Sequence, residues 1–354
     1  MITDAAGLEE LLDRITDLSV IAFDTEADSL HCYFEKLCLI QISTPTEHAL
    51  VDPLANVPMQ PLLDAVSDKR VVFHGADYDL RMLRRVGTFE PREIFDTMIA
   101  SRLCGVDQLG LGALVEKHFG VQLSKSSQKA NWARRPLPPE MIDYAINDTR
   151  YLLELAERIE AELHRLGRWA WFTESRDRMV AASREVRERD EENAWRISGS
   201  ARLSPRAQSV LRVLWFWRDA ESRAWDRPPF HVIGNEDLLR VADCASSGRP
   251  FSTPRMANRR RRSFEVALAL ALQVPEAEWP KLERKRGKRR TNEQLKRFDE
   301  LKAVRDRIAA DLQIDPAILA SRGALEATSI DPASPALMRW QRELLGLEVP
   351  APMA

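Results

Sequence analysis

The chain has 354 residues, of which 44% are hydrophobic and 30% charged, and its formal net charge is −2. That length allows two or three domains, and the composition is that of an ordinary soluble globular protein, neither disordered nor fibrous. No apolar run approaches the roughly 18 residues of a membrane span, no Gly-x-x-x-x-Gly-Lys loop marks a P-loop nucleotide hydrolase, and the start "MITDAAGLEELLDRI" lacks the basic and apolar regions of a secretory signal.

Residues up to about 165 alternate strand and helix. "VIAFDTEA" (20–27), "LCLIQIST" (37–44), "HALVDPL" (48–54) and "RVVFHG" (70–75) are β-rich runs. Helical patterns cover 7–15, 58–67, 77–86, 93–104, 109–119 and 139–166. Early strands with little between them predict antiparallel pairing, and later strands separated by helices predict parallel pairing, so this part reads as an α/β domain with a mixed sheet. From about 168 onward the chain is helical, Trp-rich and charged. Ser204 and Pro205 are an N-cap and first helical position for a helix over 203–226. Further helices are expected near 235–247, 255–272, 291–312 and 315–327. The tryptophans at 215, 217 and 225 are expected in a core.

Three acidic spots stand out in the first part. Asp24 and Glu26 are two apart on one strand, so alternation sends both side chains to one face. Side by side on a central strand they repel unless a cation lies between them. Asp79 falls in the first turn of the helix after the 70–75 strand, where α/β folds place their sites. Asp77 is a candidate N-cap there, and Asp96 a candidate cap of the next helix. Asp148 fills a gap in the apolar face Met141, Ala145, Leu152, Leu155, Ile159, one turn after Tyr144. A carboxylate buried there without a partner costs several kcal/mol; an exposed aspartate is the alternative. Carboxylates without His or Cys select hard cations, Mg²⁺ or Mn²⁺. Four of them can hold two such ions about 3.5–4 Å apart, an arrangement that cleaves phosphodiesters.

Two basic runs lie farther on: "RMANRRRR" (255–262), with Arg259, Arg260, Arg261 and Arg262, and "KLERKRGKRR" (281–290), with Lys285, Arg286, Lys288, Arg289 and Arg290. Like-charge blocks are either solvated linkers or nucleic-acid contacts. The four cysteines (Cys32, Cys38, Cys104, Cys244) form no Cys-x-x-Cys pair, which argues against a disulfide framework or zinc site and for a reducing cytoplasm.

Asp24-x-Glu26, the "FHGADYDL" block with Asp79, and "YAINDTRYLL" with Tyr144 and Asp148 resemble the three motifs of the DEDDy 3′–5′ exonucleases, and ribonuclease D in particular. The likeness extends through "CLIQIST", "VDPL", "FDT" and "SKSSQKANWARRPLP". The helices at 203–275 resemble a helicase-and-RNase-D C-terminal (HRDC) domain, and 291–347 a diverged second copy. The resemblance implies an RNase H-like mixed-sheet exonuclease domain followed by all-α HRDC-type domains. The expected bounds are 1–170 for the exonuclease domain, 171–200 for a connecting helix, 201–280 for the HRDC domain and 288–350 for the second one. It further implies two divalent ions (Mg or Mn) on Asp24, Glu26, Asp79 and Asp148, water held by Tyr144, and hydrolysis of structured RNA such as tRNA precursors from the 3′ end. The competing readings are a DNA 3′–5′ exonuclease on the same constellation and a non-catalytic nucleic-acid-binding protein. Ala27-Asp28 and Asn131 depart from the family pattern, in which a bulky apolar residue and an acidic residue stand at these places.

Overall fold

Five short runs become the strands of one sheet: β1 (Val20–Ala27), β2 (Leu37–Ser43), β3 (His48–Val51), β4 (Arg70–Phe73) and β5 (Glu93–Asp96), in the order β3-β2-β1-β4-β5. β1 pairs antiparallel with β2 and parallel with β4; β2–β3 is antiparallel and β4–β5 parallel. The mixed sheet expected from strand spacing is therefore observed, with β1 at its centre. This computed structural model describes residues 1–185, 190–253, 255–281 and 290–349.

β5 corrects the sequence reading, which made 93–104 a single helix. Ile94 and Phe95 are buried strand residues paired to β4, and the helix runs only over Thr97–Leu103. A strand of four residues is too short to display its period of two. The expected helix over 139–166 is likewise two, Pro139–Arg150 and Leu152–Arg165, joined at Tyr151.

The chain divides into two units: Met1–Ala27 with Leu37–Val186 and Lys288–Ala354, and Asp28–Lys36 with Arg187–Gly287. In the first unit, Phe23, Phe73, Leu80 and Leu83 share a core with Leu8, Leu11 and Leu62 from the flanking helices. A second core joins Ala22, Val72 and Phe95 to Leu155, Phe172, Leu301, Leu319, Leu325 and Trp340. The helices over 292–344, expected as a module of their own, thus pack within the unit that holds the sheet. Trp171 and Trp340 stack at 4.8 Å between centroids. Glu174 accepts the backbone N–H groups of Arg339 and Trp340 at 2.6 and 3.1 Å. Arg168, buried, donates to the carbonyls of Leu103 and Leu312 at 2.7 Å each.

The second unit is built on the Pro205–Trp225 helix. Ser204 caps it as expected, its side chain accepting from the Ala207 N–H at 3.2 Å. Leu211, Leu214, Trp215, Leu238, Val241 and Phe264 form its core. The tryptophans part company here. Trp215 is buried and Trp217 donates from Nε1 to Ser263 Oγ at 2.8 Å, but Trp225 is 47% exposed, against the expectation that all three are core. Among the described residues, no helix is long and apolar enough to cross a membrane.

Candidate active site

β1 carries the first two acids. Asp24 and Glu26 alternate onto one face, opposite Gln41 and Leu39 of β2. The register slips between Glu26 and Ala27, an irregularity that falls immediately after the second acid, with Ala27 then paired to Leu37. The Pro139–Arg150 helix lies across this face, with Met141, Ala145 and Thr149 buried beneath it. Thr149 and Ser43 hydroxyls meet at 2.6 Å, which pins the helix to β2 one residue away from Asp148. As a result Asp24, Glu26 and Asp148 each offer a carboxylate oxygen, all within 4.8 Å of one another.

Asp79 comes in from the Asp77–Val86 helix, buried, and accepts from Thr25 Oγ1 at 2.6 Å. It lies outside the three-carboxylate group, yet its charge is the first after burial itself to push Asp24 upward. The turn that launches this helix is held by Asp96. Its carboxylate accepts the N–H groups of Gly75 and Ala76 at 3.2 and 2.8 Å, and those of Met98 and Ile99 at 2.9 and 3.1 Å. Gly75 has φ +85°, and a Cβ there would come within 3.0 Å of Met98 Cε, so glycine is required. Asp96 is the cap the sequence suggested; Asp77 is not, since Ala76 holds the N-cap position and Asp77 pairs with Arg81. His74 Nδ1 lies 2.9 Å from Thr97 Oγ1, which itself donates to the Phe73 carbonyl; Nδ1 therefore carries the proton, and the ring is structural.

The electrostatics are those of crowded acids. Burial, then the charges of Asp79, Asp148 and Glu26, hold the Asp24 carboxyl well above its ordinary range. Burial and the charges of Asp148 and Asp79 push Glu26 up to about 9. Burial raises Asp79 to about 7 against the opposing Thr25 hydrogen bond, and raises Asp148 to about 7 against that of Tyr144. Tyr144 is raised too, by burial and then by Asp148, so its hydroxyl stays a donor. Its ring leans on Trp132, 5.9 Å between centroids. Arg135 fixes the loop bearing Trp132, donating to both Asp52 oxygens at 2.6 Å and to the Cys38 and Trp132 carbonyls at 2.7 Å.

The donor set fits hard divalent cations. Oxygen ligands only, clustered, and ionised at a cost that a cation would reverse, are what Mg²⁺ or Mn²⁺ takes. Gln41 points the same way. It is the cross-strand partner of Asp24, fully buried, and neither end of its amide has a partner among the described residues. A hydrated ion beside Asp24 would supply what that amide lacks. Sequence reasoning missed Gln41 and Thr149; the one available signal was a glutamine in the middle of an otherwise apolar strand. A cavity of about 710 Å³ opens at the opposite strand end, beside Val20, Arg70, Arg150 and Glu160, away from these acids.

The basic residues fall elsewhere. Arg259, Arg261 and Arg262 are exposed in the first turn of the Asn258–Gln273 helix, and Arg260 pairs with Glu221 at 3.4 Å. Arg290 is tied to Glu326 at 3.3 Å and lies over the Phe298 ring. Lys285, Arg286, Lys288 and Arg289 lie outside the described residues.

Comparison with known proteins places this geometry. Residues 1–164 match the family model described as 3′-5′ exonuclease. Ribonuclease D of Jannaschia sp. is 31% identical over 309 residues, 83% of this chain and 80% of that protein. Ribonuclease D of Sphingobium indicum is 34% identical over 250 residues, 68% of this chain but only 63% of that protein, so here the chain spans less than two thirds of its relative. The crystal structure of Escherichia coli RNase D, described as an exoribonuclease involved in structured RNA processing, superposes with a TM-score of 0.70 over 98% of this chain and 96% of that one; at 24% identity it speaks to the fold.

Proposed function

The chain belongs to the ribonuclease D family of 3′–5′ exonucleases, and from that premise we propose that it hydrolyses structured RNA, such as tRNA precursors, from the 3′ end to nucleoside 5′-monophosphates. The observation that carries the reading is the meeting of Asp24, Glu26 and Asp148 within 4.8 Å, with the charge of Asp79 acting on Asp24 and Glu26.

In this reading Asp24, Glu26, Asp79 and Asp148 hold two divalent ions. When bound, the ions activate water and stabilise the leaving oxygen of an in-line displacement. Tyr144, kept protonated and braced on Trp132, orients the attacking water by donating from its hydroxyl. Glu26, beside the register shift near the end of β1, receives the terminal 3′-hydroxyl of the substrate. Arg259, Arg260, Arg261 and Arg262 supply phosphate contacts from the second unit; three are exposed at the positive end of a 16-residue helix, a placement that favours anions. The second unit is assigned the HRDC role on the same resemblance. None of the four cysteines is in a disulfide, and a reducing cytoplasm is the compartment proposed.

The test is 3′-labelled RNA and DNA of one sequence, incubated with the protein and Mg²⁺ or Mn²⁺. Early release of labelled mononucleotide from RNA is expected. Release from DNA alone moves the assignment to a DNA exonuclease, since the choice rests on reading a 2′-hydroxyl. Release from neither leaves a binding protein.

A further inference from the structure

Two of the second unit's exposed aromatic rings, Phe34 and Trp225, lie at one helix end whose backbone is held by side-chain hydrogen bonds. The Pro205–Trp225 helix ends at Asp226, whose φ of +47° turns the chain into the left-handed region. From there the Asp226 carboxylate accepts the backbone N–H groups of Tyr33 and Phe34, both at 3.0 Å. The Tyr33 hydroxyl donates to Asp219 at 3.0 Å, and Arg227 donates to the His31 carbonyl at 2.8 Å. The 28–36 loop is thereby fastened to the helix end, with Phe34 packed edge-on against Tyr33 and 57% exposed. One residue before Asp226, Trp225 is 47% exposed, and the Arg260 guanidinium lies 4.1 Å from its ring centroid. Arg260 is itself fixed by Glu221, whose other oxygen accepts from Ser263 Oγ at 2.9 Å.

Ordered aromatic faces left half in water forgo burial worth about 1.5–3 kcal/mol each for a full-sized apolar side chain. Here the loop and the arginine are already fixed, so little freedom remains to be lost when a flat ligand arrives. Two exposed aromatic rings on either side of the Asp226 anchor, with the exposed cations Arg259, Arg261 and Arg262 on the helix that carries Arg260, suit one chemistry above others: unpaired bases on a phosphate backbone. We propose that Phe34, Trp225 and the Arg260 guanidinium form a stacking platform for the unpaired bases of a single-stranded RNA segment. The proposal rests on the nuclease reading and adds the contact that makes binding depend on bases as well as on charge.

Stacking and charge separate by salt. Loss of a base–aromatic contact lowers affinity by a factor that salt leaves unchanged, whereas loss of a phosphate contact flattens the salt dependence. The full-length protein in chelator, which prevents cleavage, is titrated with a labelled adenosine 12-mer and with an abasic 12-mer of the same backbone, at several salt concentrations. Wild type should bind the base-bearing strand more tightly. Phe34→Ala with Trp225→Ala should lower that affinity about tenfold or more, keep the salt slope, and leave the abasic strand unaffected. Trp225→Phe, which keeps a ring, should restore most of its share, and Arg259→Ala with Arg261→Ala should flatten the slope for both strands. Turnover of a dinucleotide should be unchanged in the aromatic variant.

Equal affinity of wild type and the Phe34, Trp225 variant for the base-bearing strand, in a protein that cleaves RNA, overturns the platform and leaves the nuclease reading standing. Absence of RNA cleavage by wild type overturns that reading instead. A change of oligomeric state in the aromatic variant at unchanged RNA affinity assigns the rings to contact with a second copy, and also overturns the proposal.

Discussion

Glu26→Gln should make the metal-free protein more stable and the metal-loaded protein less so. The glutamate is pushed up to about 9 from an ordinary 4.5, by burial first and then by Asp148 and Asp79. At pH 7 the folded chain must therefore keep a proton that the unfolded chain has given up, at a cost of about 3 kcal/mol, from about 1.4 kcal/mol per pH unit above 4.5. Glutamine removes that cost, though a buried amide without a partner costs about 1–3 kcal/mol of its own. The net gain expected at pH 7 is about 0–2 kcal/mol. The sign fixes the window. A folded-state value raised above the unfolded one destabilises increasingly as pH rises from 4.5 toward 9, so the variant should be the less stable protein near pH 4.5 and should gain on wild type as pH rises above 7. Saturating Mg²⁺ reverses the order, because an ion bound only to the folded wild type adds about 2.7 kcal/mol at a hundred times its Kd. Urea unfolding with chelator and with Mg²⁺, at pH 4.5 and pH 7.5, reads all four cases. If the two stability orders do not cross on adding the ion, Glu26 is not a ligand and the electrostatic account of this site fails.

Asp24→Asn, Asp79→Asn and Asp148→Asn should each nearly abolish RNA cleavage with the circular dichroism spectrum unchanged; a wild-type rate for Asp148→Asn removes that residue from the site. Tyr144→Phe should slow turnover roughly 10²-fold while calorimetry shows the ions still binding; loss of an ion would make the tyrosine structural. Because Asp79 and Asp148 are raised to about 7 and Glu26 to about 9, metal binding near pH 7 should expel protons, seen as a heat that varies with the buffer's ionisation enthalpy and that fades above about pH 9. Trp340→Ala should cost about 3–5 kcal/mol in denaturant unfolding, since this buried ring stacks on Trp171 and closes the second core of the sheet-bearing unit.

The grouping of Asp24, Glu26 and Asp148 was legible because a two-residue spacing on a strand and a gap in an apolar helical face are local patterns, and Asp79 because it falls in the first turn of a helix after a strand. Ser204 and Asp96 were legible because capping is local. What escaped was set by distant partners. β5 is a strand only because β4 offers it hydrogen bonds, and Glu-Ile-Phe-Asp before Thr-Met-Ile-Ala carries no local sign of the change. Gln41 matters through Asp24 across the ladder, a pairing that sequence order does not display. Trp225 reads like Trp215 and Trp217 in a helical pattern, yet it falls at the last residue of its helix, beyond the reach of the core. The helices over 292–344 carry weak signals in sequence, and which surface they cover depends on Phe95 and Phe172, more than a hundred positions earlier. A truncation at residue 200, natural from the sequence alone, would strip those helices away and bare that core.

That packing also sets a schedule. During synthesis the carboxylates are all in the chain by residue 148, but Leu325 and Trp340, which seal the side of the sheet around Phe95 and Phe172, follow about two hundred residues later. Contacts so distant in sequence close late and slowly. The intervening unit can close on its own local contacts in the meantime. On the ribosome, then, a nascent chain presents an unsealed apolar flank to chaperones before the fold that aligns its acids is complete.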